Sequence, residues 1–198
     1  MKLEIPSQEF LYLDIECRPL SWYGGEWVTK DVTVVSVSWG DHPLVTTWSY
    51  GSAYEQETML ATTQYLLSTP DIIVVGHFIR GFDLPVLNGA LMEAGLPPLP
   101  QMMTVDTKLD LIKRSGQSNS QENLAAELGI EATKIHMTAA DWRSANRLQP
   151  IGVAKAIARC ESDVIQNKEM HRELVRRGLL KPPSVWVPFG EGKTKYHA

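Results

Sequence analysis

Two spacings of apolar residues alternate along the chain, one near two and one near 3.6. Leu11, Tyr12, Leu13 and Ile15 predict a first strand over residues 10–16. The stretch RPLSWYGGEWVTKD, rich in Gly, Pro and Trp, predicts a loop. DVTVVSVSWG is dense in β-branched residues, and the turn GDHP joins it to PLVTTWSY, so residues 32–49 predict a hairpin. AYEQETMLATTQYLLS switches to helical spacing through Met59, Leu60, Tyr65, Leu66 and Leu67. DIIVVGH predicts a short central strand, apolar on both faces. FDLPVLNGALMEAG predicts a helix with Pro85 in its first turn and Gly95 as its stop. MMTVDT predicts a fifth strand, and ENLAAEL a helix that follows a polar cluster and ends at Gly129. The last long element runs from about residue 150 to 178, with Val153, Ile157, Cys160 and Val164 as its apolar seam.

This order is a three-stranded meander followed by strand–helix–strand crossovers. It predicts an α/β fold, a mixed five-stranded sheet flanked by helices. Residues 1–180 form the expected domain and residues 181–198 an extended tail. In such a sheet the C-terminal ends of the first and fourth strands lie side by side, where ligands bind in open α/β sheets.

Composition narrows the classes. With 43% hydrophobic and 21% charged residues, the 198-residue chain is ordinary for a single globular domain. It has no long apolar run and no apolar N-terminal signal, so neither membrane insertion nor export is expected. Two cysteines make no disulfide framework, and the expected setting is a reducing cytosol. Cys17 and Cys160 read first as small hydrophobes. The net charge of −4 argues only weakly against nucleic acid. If four acids are metal ligands, the remaining acids and bases balance.

Four acids do stand out. Asp14 and Glu16 interrupt an apolar strand two residues apart, so both carboxylates point to one face. Asp83 follows the fourth strand in VVGHFIRGFDLP, and Asp163 lies beside the apolar seam of the last helix in ARCESDVIQN. The topology can bring all four to one sheet edge. Carboxylates crowded together repel unless hard cations neutralise them, and Mg²⁺ favours oxygen ligands and phosphate. Each acid alone has a plainer reading: Asp83 as a helix N-cap, Asp163 as a solvated helix residue, Asp14 and Glu16 at an exposed strand end.

LDIEC, GHFIRGFDLP and CESDV, taken together and in this order, resemble the three exonuclease motifs of the DnaQ-like, or DEDD, 3′–5′ exonucleases. The resemblance covers roughly residues 9–175 and is nearest to the proofreading domains of family B DNA polymerases and their free-standing relatives. It implies an RNase H-like fold and two divalent ions, Mg²⁺ or Mn²⁺. It also implies release of nucleoside 5′-monophosphates from a 3′ end, with Asp14, Glu16, Asp83 and Asp163 as catalytic metal ligands. DNA is the favoured substrate and RNA the nearest alternative. A non-catalytic module that binds nucleic acid or a polymerase is the other class. The implied partners are a DNA 3′ end, single-stranded or frayed, and a polymerase or other replication or repair protein. The implied location is the cytosol of a bacterium or of a phage's host.

This sequence departs from the motifs in two places. A Tyr or His that orients the attacking water commonly precedes the last acid by four or five residues. Arg159 and Ala158 stand there instead. An Arg offers a planar fork of donors, so Arg159 is expected to bind a substrate phosphate, leaving water activation to the ions; the plainer reading turns it outward to pair with a surface acid. Phe78 stands where the second motif often has Asn. Phe82, His77 and His136 are further candidate substrate contacts. The plainer reading makes His77 a hydrogen-bonded near-core residue and His136 a surface histidine. Asp106 reads as an N-cap of a following helix, and SWYGGEW either stacks on a base or covers the sheet edge.

Overall fold

The computed structural model describes residues 10–18, 31–43, 45–49, 51–112, 118–131 and 135–188. The loop SWYGGEW lies outside them. Strands β1 (Phe10–Arg18), β2 (Asp31–Trp39) and β3 (Val45–Ser49) form the meander, and helix α1 (Ala53–Leu67) follows. Next come β4 (Ile73–Gly76), α2 (Asp83–Glu93) and β5 (Met102–Asp106). Helices α3 (Gln121–Leu128), α4 (Ala139–Asn146) and α5 (Pro150–Arg176) precede a last strand, β6 (Ser184–Trp186).

The strand order is β3-β2-β1-β4-β5-β6. β1 runs antiparallel to β2 and parallel to β4, so the meander and the crossover half meet on it. Its alternation divides the core. Leu11, Leu13 and Ile15 face one layer, where α1 and α2 contribute Met59, Leu60, Leu84, Leu87 and Leu91. Tyr12 faces the other, against Val75, Val105 and Val164 of α5. The result is a sheet between two helical layers, with helix α5, 27 residues long, lying along it.

Two elements extend the expected order. Past residue 180 the chain enters the sheet: β6 pairs antiparallel with β5, and Trp186 is buried in the α1–α2 core. The sheet therefore has six strands. Helix α4, short and polar, carries no long apolar seam for sequence to reveal. It is set instead by a capping box, in which Thr138 accepts from the Asp141 amide and the Asp141 carboxylate accepts from the Thr138 amide.

Helix α4 also rotates the expected seam of α5. The buried positions in its first turns are Gly152 and Ala156, while Val153 and Ile157 are only half-buried. Gly152 makes this possible by letting the two helices touch: a Cβ there would lie 2.2 Å from the Ala145 amide nitrogen. From Cys160 onward the seam runs as expected through Val164. Among the described residues no helix is long and apolar enough to cross a membrane.

Candidate active site

The alternation that buries Tyr12 against α5 also points Asp14 and Glu16 at that helix. Past Tyr12 the β1–β4 ladder ends. Beyond it, one carboxylate oxygen each from Asp14, Glu16 and Asp163 lies within 4.8 Å of the others. Asp163 reaches the strand acids because it lies on the seam of α5, three residues after the fully buried Cys160, and is itself buried. The solvated reading of this residue does not hold.

Asp83 is the first residue of α2, and Phe82 rather than Asp83 holds the N-cap position. The Asp83 Oδ1 accepts from the Ile15 amide at 3.2 Å. Ile15 lies between Asp14 and Glu16, just beyond the residues that β4 pairs. The fourth acid thus docks on the strand that carries the first two.

A loop delivers Asp83 there, and another acid shapes that loop. No helix starts at Asp106. Its carboxylate, fully buried, accepts from the amides of Phe78, Lys108 and Leu109 on Oδ1 and of Arg80 on Oδ2. Asp106 therefore clamps the turn after β5 to the loop between β4 and α2. Phe78 is held at a positive φ of 67°, which a bulky side chain adopts only when its surroundings enforce it. Its exposed ring covers Gly81, and the Lys108 ammonium lies 4.3 Å from the ring centroid.

Charge crowding marks the cluster. Desolvation holds the Asp14 carboxyl well above the usual carboxylate range, and the charges of Asp83, Asp163 and Glu16 push it further up. Burial likewise raises Asp83 to about 8, with Asp106 and Glu16 adding to it and the bond from Ile15 opposing. Cys160 contributes a bond that sequence reading does not assign. Its thiol lies 3.4 Å from Asp14 Oδ2 and 3.3 Å from the Asp14 carbonyl oxygen, fixing the strand acid against the helix. The three-residue step from Cys160 to Asp163 was the available signal, since it places both on one helix face.

Arg159 turns into the cluster. Its Nε donates to Glu16 Oε1 at 2.7 Å, its Nη2 lies 3.6 Å from Asp163 Oδ2, and its Nη1 donates to the Ile135 carbonyl at 3.2 Å. The guanidinium also lies over the Trp142 ring of α4, 5.5 Å from its centroid. His136, next to Ile135, is exposed. Phe82 is half-buried and packs against the α1–α2 core. His77 shares its Nδ1 with the Thr107 hydroxyl at 3.0 Å, and that hydroxyl donates to Asn167 of α5.

The donor set fits divalent metal. It consists of hard carboxylate oxygens, within 4.8 Å of one another for three of the four acids, with the fourth fixed on the same strand. Asp14, Glu16 and Asp163 are the residues that could hold it.

No protein-family model matches the sequence, and no curated protein does. Among solved structures, the chain is similar to the family B DNA polymerase of the hyperthermophilic archaeon Pyrobaculum calidifontis. That match has a TM-score of 0.57 and 16% identity over 84% of this chain and 24% of the polymerase. Trypanosoma brucei RNase D matches with a TM-score of 0.56 and 17% identity, over 85% of this chain and 58% of RNase D. E. coli exonuclease I, in complex with a dA16 oligonucleotide, has a TM-score of 0.47 at 14% identity, over 84% of this chain and 45% of that one. The chain thus spans about a quarter of the polymerase and somewhat over half of RNase D. With the polymerase and RNase D matches beside its own sheet order, the chain has the RNase H-like fold.

Proposed function

We propose that the chain is a divalent-metal-dependent 3′–5′ exonuclease acting on the 3′ end of DNA and releasing nucleoside 5′-monophosphates. One observation carries this reading: the carboxylates of Asp14, Glu16 and Asp163 converge within 4.8 Å at the end of the central strand. The docking of Asp83 on the Ile15 amide supports it, as do the three ordered motifs in which these acids lie. Mg²⁺ or Mn²⁺ held there would polarise the phosphodiester, activate water and stabilise the leaving oxygen. The protein's own part is to hold four acids in fixed positions, through Cys160 on Asp14, Ile15 on Asp83 and the Asp106 clamp behind the loop. Phe82, beside Asp83, and the exposed His136 are proposed substrate contacts. A polymerase or other replication or repair protein is the proposed partner.

RNA is the second substrate reading, because RNase D matches the fold as well as the DNA polymerase does. Digestion of 3′- and 5′-labelled DNA and RNA oligonucleotides with Mg²⁺, Mn²⁺ or EDTA separates the readings. The expected result is metal-dependent shortening from the 3′ end, faster on DNA. Efficient cutting of a closed single-stranded circle overturns exonuclease action, and inertness on every substrate with either metal overturns the reading as a whole.

A further inference from the structure

We propose that Arg159 is a resident cation of the cluster. It stands in place of one divalent ion, so that the chain takes a single ion. The inference rests on the metal-site reading above and revises three expectations from sequence: the number of ions, the ligand role of Glu16 and Asp163, and the phosphate contact of Arg159.

The geometry of Arg159 carries the argument. Glu16 and Asp163 are two of the three acids whose oxygens converge, and Arg159 ties itself to both. The contact to Glu16 is a charge-assisted bond of 2.7 Å from Nε. The side chain is not a surface arm resting there by chance. Its exposure is 20%, its stem leaves the buried face of α5 next to Cys160, and three separate elements hold its head. β1 holds it through Glu16, the Ile135 carbonyl accepts from Nη1, and the Trp142 ring of α4 lies beneath the guanidinium. Each contact narrows the rotamers available to a long, otherwise flexible side chain.

A guanidinium cannot lose its proton under working conditions, so this positive charge is permanent. A divalent ion shared by Glu16 and Asp163 would draw on the same two carboxylates and would meet a like charge within a few ångströms. Asp14 and Asp83 are bonded to Cys160 and to Ile15 rather than to Arg159. They remain available to one ion. The fork of Arg159 can meet a phosphate bidentately on either of two edges, but its Nε donates to Glu16, its Nη1 to the Ile135 carbonyl, and its Nη2 faces Asp163.

Counting bound Mn²⁺ tests this directly. Equilibrium dialysis or the paramagnetic resonance of free Mn²⁺ gives the stoichiometry on the full chain without substrate. The parent is expected to bind one ion and Arg159→Lys, which keeps the charge, also one. Arg159→Met keeps the stem packed on Trp142 but removes the charge. It should bind a second ion at least about tenfold more tightly than the parent does. Glu16→Gln should leave the count at one in the parent and abolish the second ion in the Arg159→Met background. Two ions of similar affinity in the parent would overturn the inference while leaving the exonuclease reading intact. So would an Arg159→Met variant with an unchanged count and a raised KM for oligonucleotide, which would restore the phosphate role. If no variant binds Mn²⁺ and none cleaves, the metal-site reading falls with it.

Discussion

Replacing Asp106 tests how the site is held rather than what it does. Its buried carboxylate accepts from four backbone amides, three on Oδ1 and one on Oδ2. Asp106→Ala strands all four donors. A hydrogen bond is worth about 1 kcal/mol net, more to a charged acceptor, so the expected loss is about 4 kcal/mol or more. That is a large share of a total stability of about 5–15 kcal/mol. Asp106→Asn has the same shape and one carbonyl. Placed at the Oδ1 position, that carbonyl keeps the bonds from Phe78, Lys108 and Leu109. The new NH₂ then faces the Arg80 amide, donor against donor, at a cost of about 2 kcal/mol. Urea denaturation at pH 7 should therefore rank the chains parent, Asn, Ala. Hydrogen exchange should show the Arg80 amide selectively deprotected in Asp106→Asn and all four amides deprotected in Asp106→Ala. Because the clamp aims the loop that delivers Asp83, turnover should fall in the same order. Equal destabilisation by both substitutions, or an Arg80 amide that exchanges no faster in Asp106→Asn, would refute the clamp.

Asp14→Asn should abolish cleavage yet raise the Tm in EDTA at pH 8, since it relieves like-charge repulsion while an oxygen remains for the Cys160 thiol; a lowered Tm would contradict the crowding. His171 is buried, accepts or donates at Nδ1 with the Tyr12 hydroxyl at 3.0 Å, packs edge-on against Phe10 and lies beside Arg172, with Lys168 over the Tyr12 ring. Burial and then the Arg172 charge push it down to about 4 from an ordinary 6.5, so the unfolded chain binds the extra proton first. Stability is then lost as pH falls from about 6.5 to about 4, by up to about 3 kcal/mol, and His171→Gln should flatten that slope in urea titrations across the window. Gly152→Ala should cost about 1–3 kcal/mol despite its better helix propensity, because the new Cβ meets the α4 backbone at 2.2 Å from the Ala145 nitrogen; a stabilised variant would show that α4 can step aside.

What sequence reveals here depends on whether a signal is local. Strands β1 to β5 and the helices α1, α2 and α5 are legible because each buries a face, and burial imposes a period. Asp14 and Asp163 stand out because a carboxylate there sits where the spacing calls for an apolar side chain. Helix α4 has little to bury, with only Ala145 in the core, so its spacing carries no signal and its capping box reads as loop chemistry. Strand β6 has three residues, and pairing with β5 makes it a strand, not its own composition. Asp106 looks like a helix cap because an acid before a polar turn usually is one. Its role as a clamp needs the amides of Phe78 and Arg80, which only the β4–β5 pairing brings within reach.

Arg159 shows the same limit from the other side. Sequence places it one turn before Asp163 on the same helical side, and that much holds. What the helix alone cannot fix is which way a four-bond stem turns. A phosphate contact and an outward surface pair are both compatible with that position. The choice is made by Glu16, 143 residues away in sequence, and by Trp142 on a helix whose spacing gave no sign of it. A buried acid cluster is unstable by itself, since each carboxylate raises the energy of the next. Placing one permanent cation among the acids lowers that repulsion before any metal arrives. It also makes every ion that does arrive compete with a side chain held by three elements of the fold. Metal affinity in this chain is then set by the packing of α4 on α5 as much as by the acids. Gly152→Ala, which touches no ligand, should change Mn²⁺ affinity along with stability.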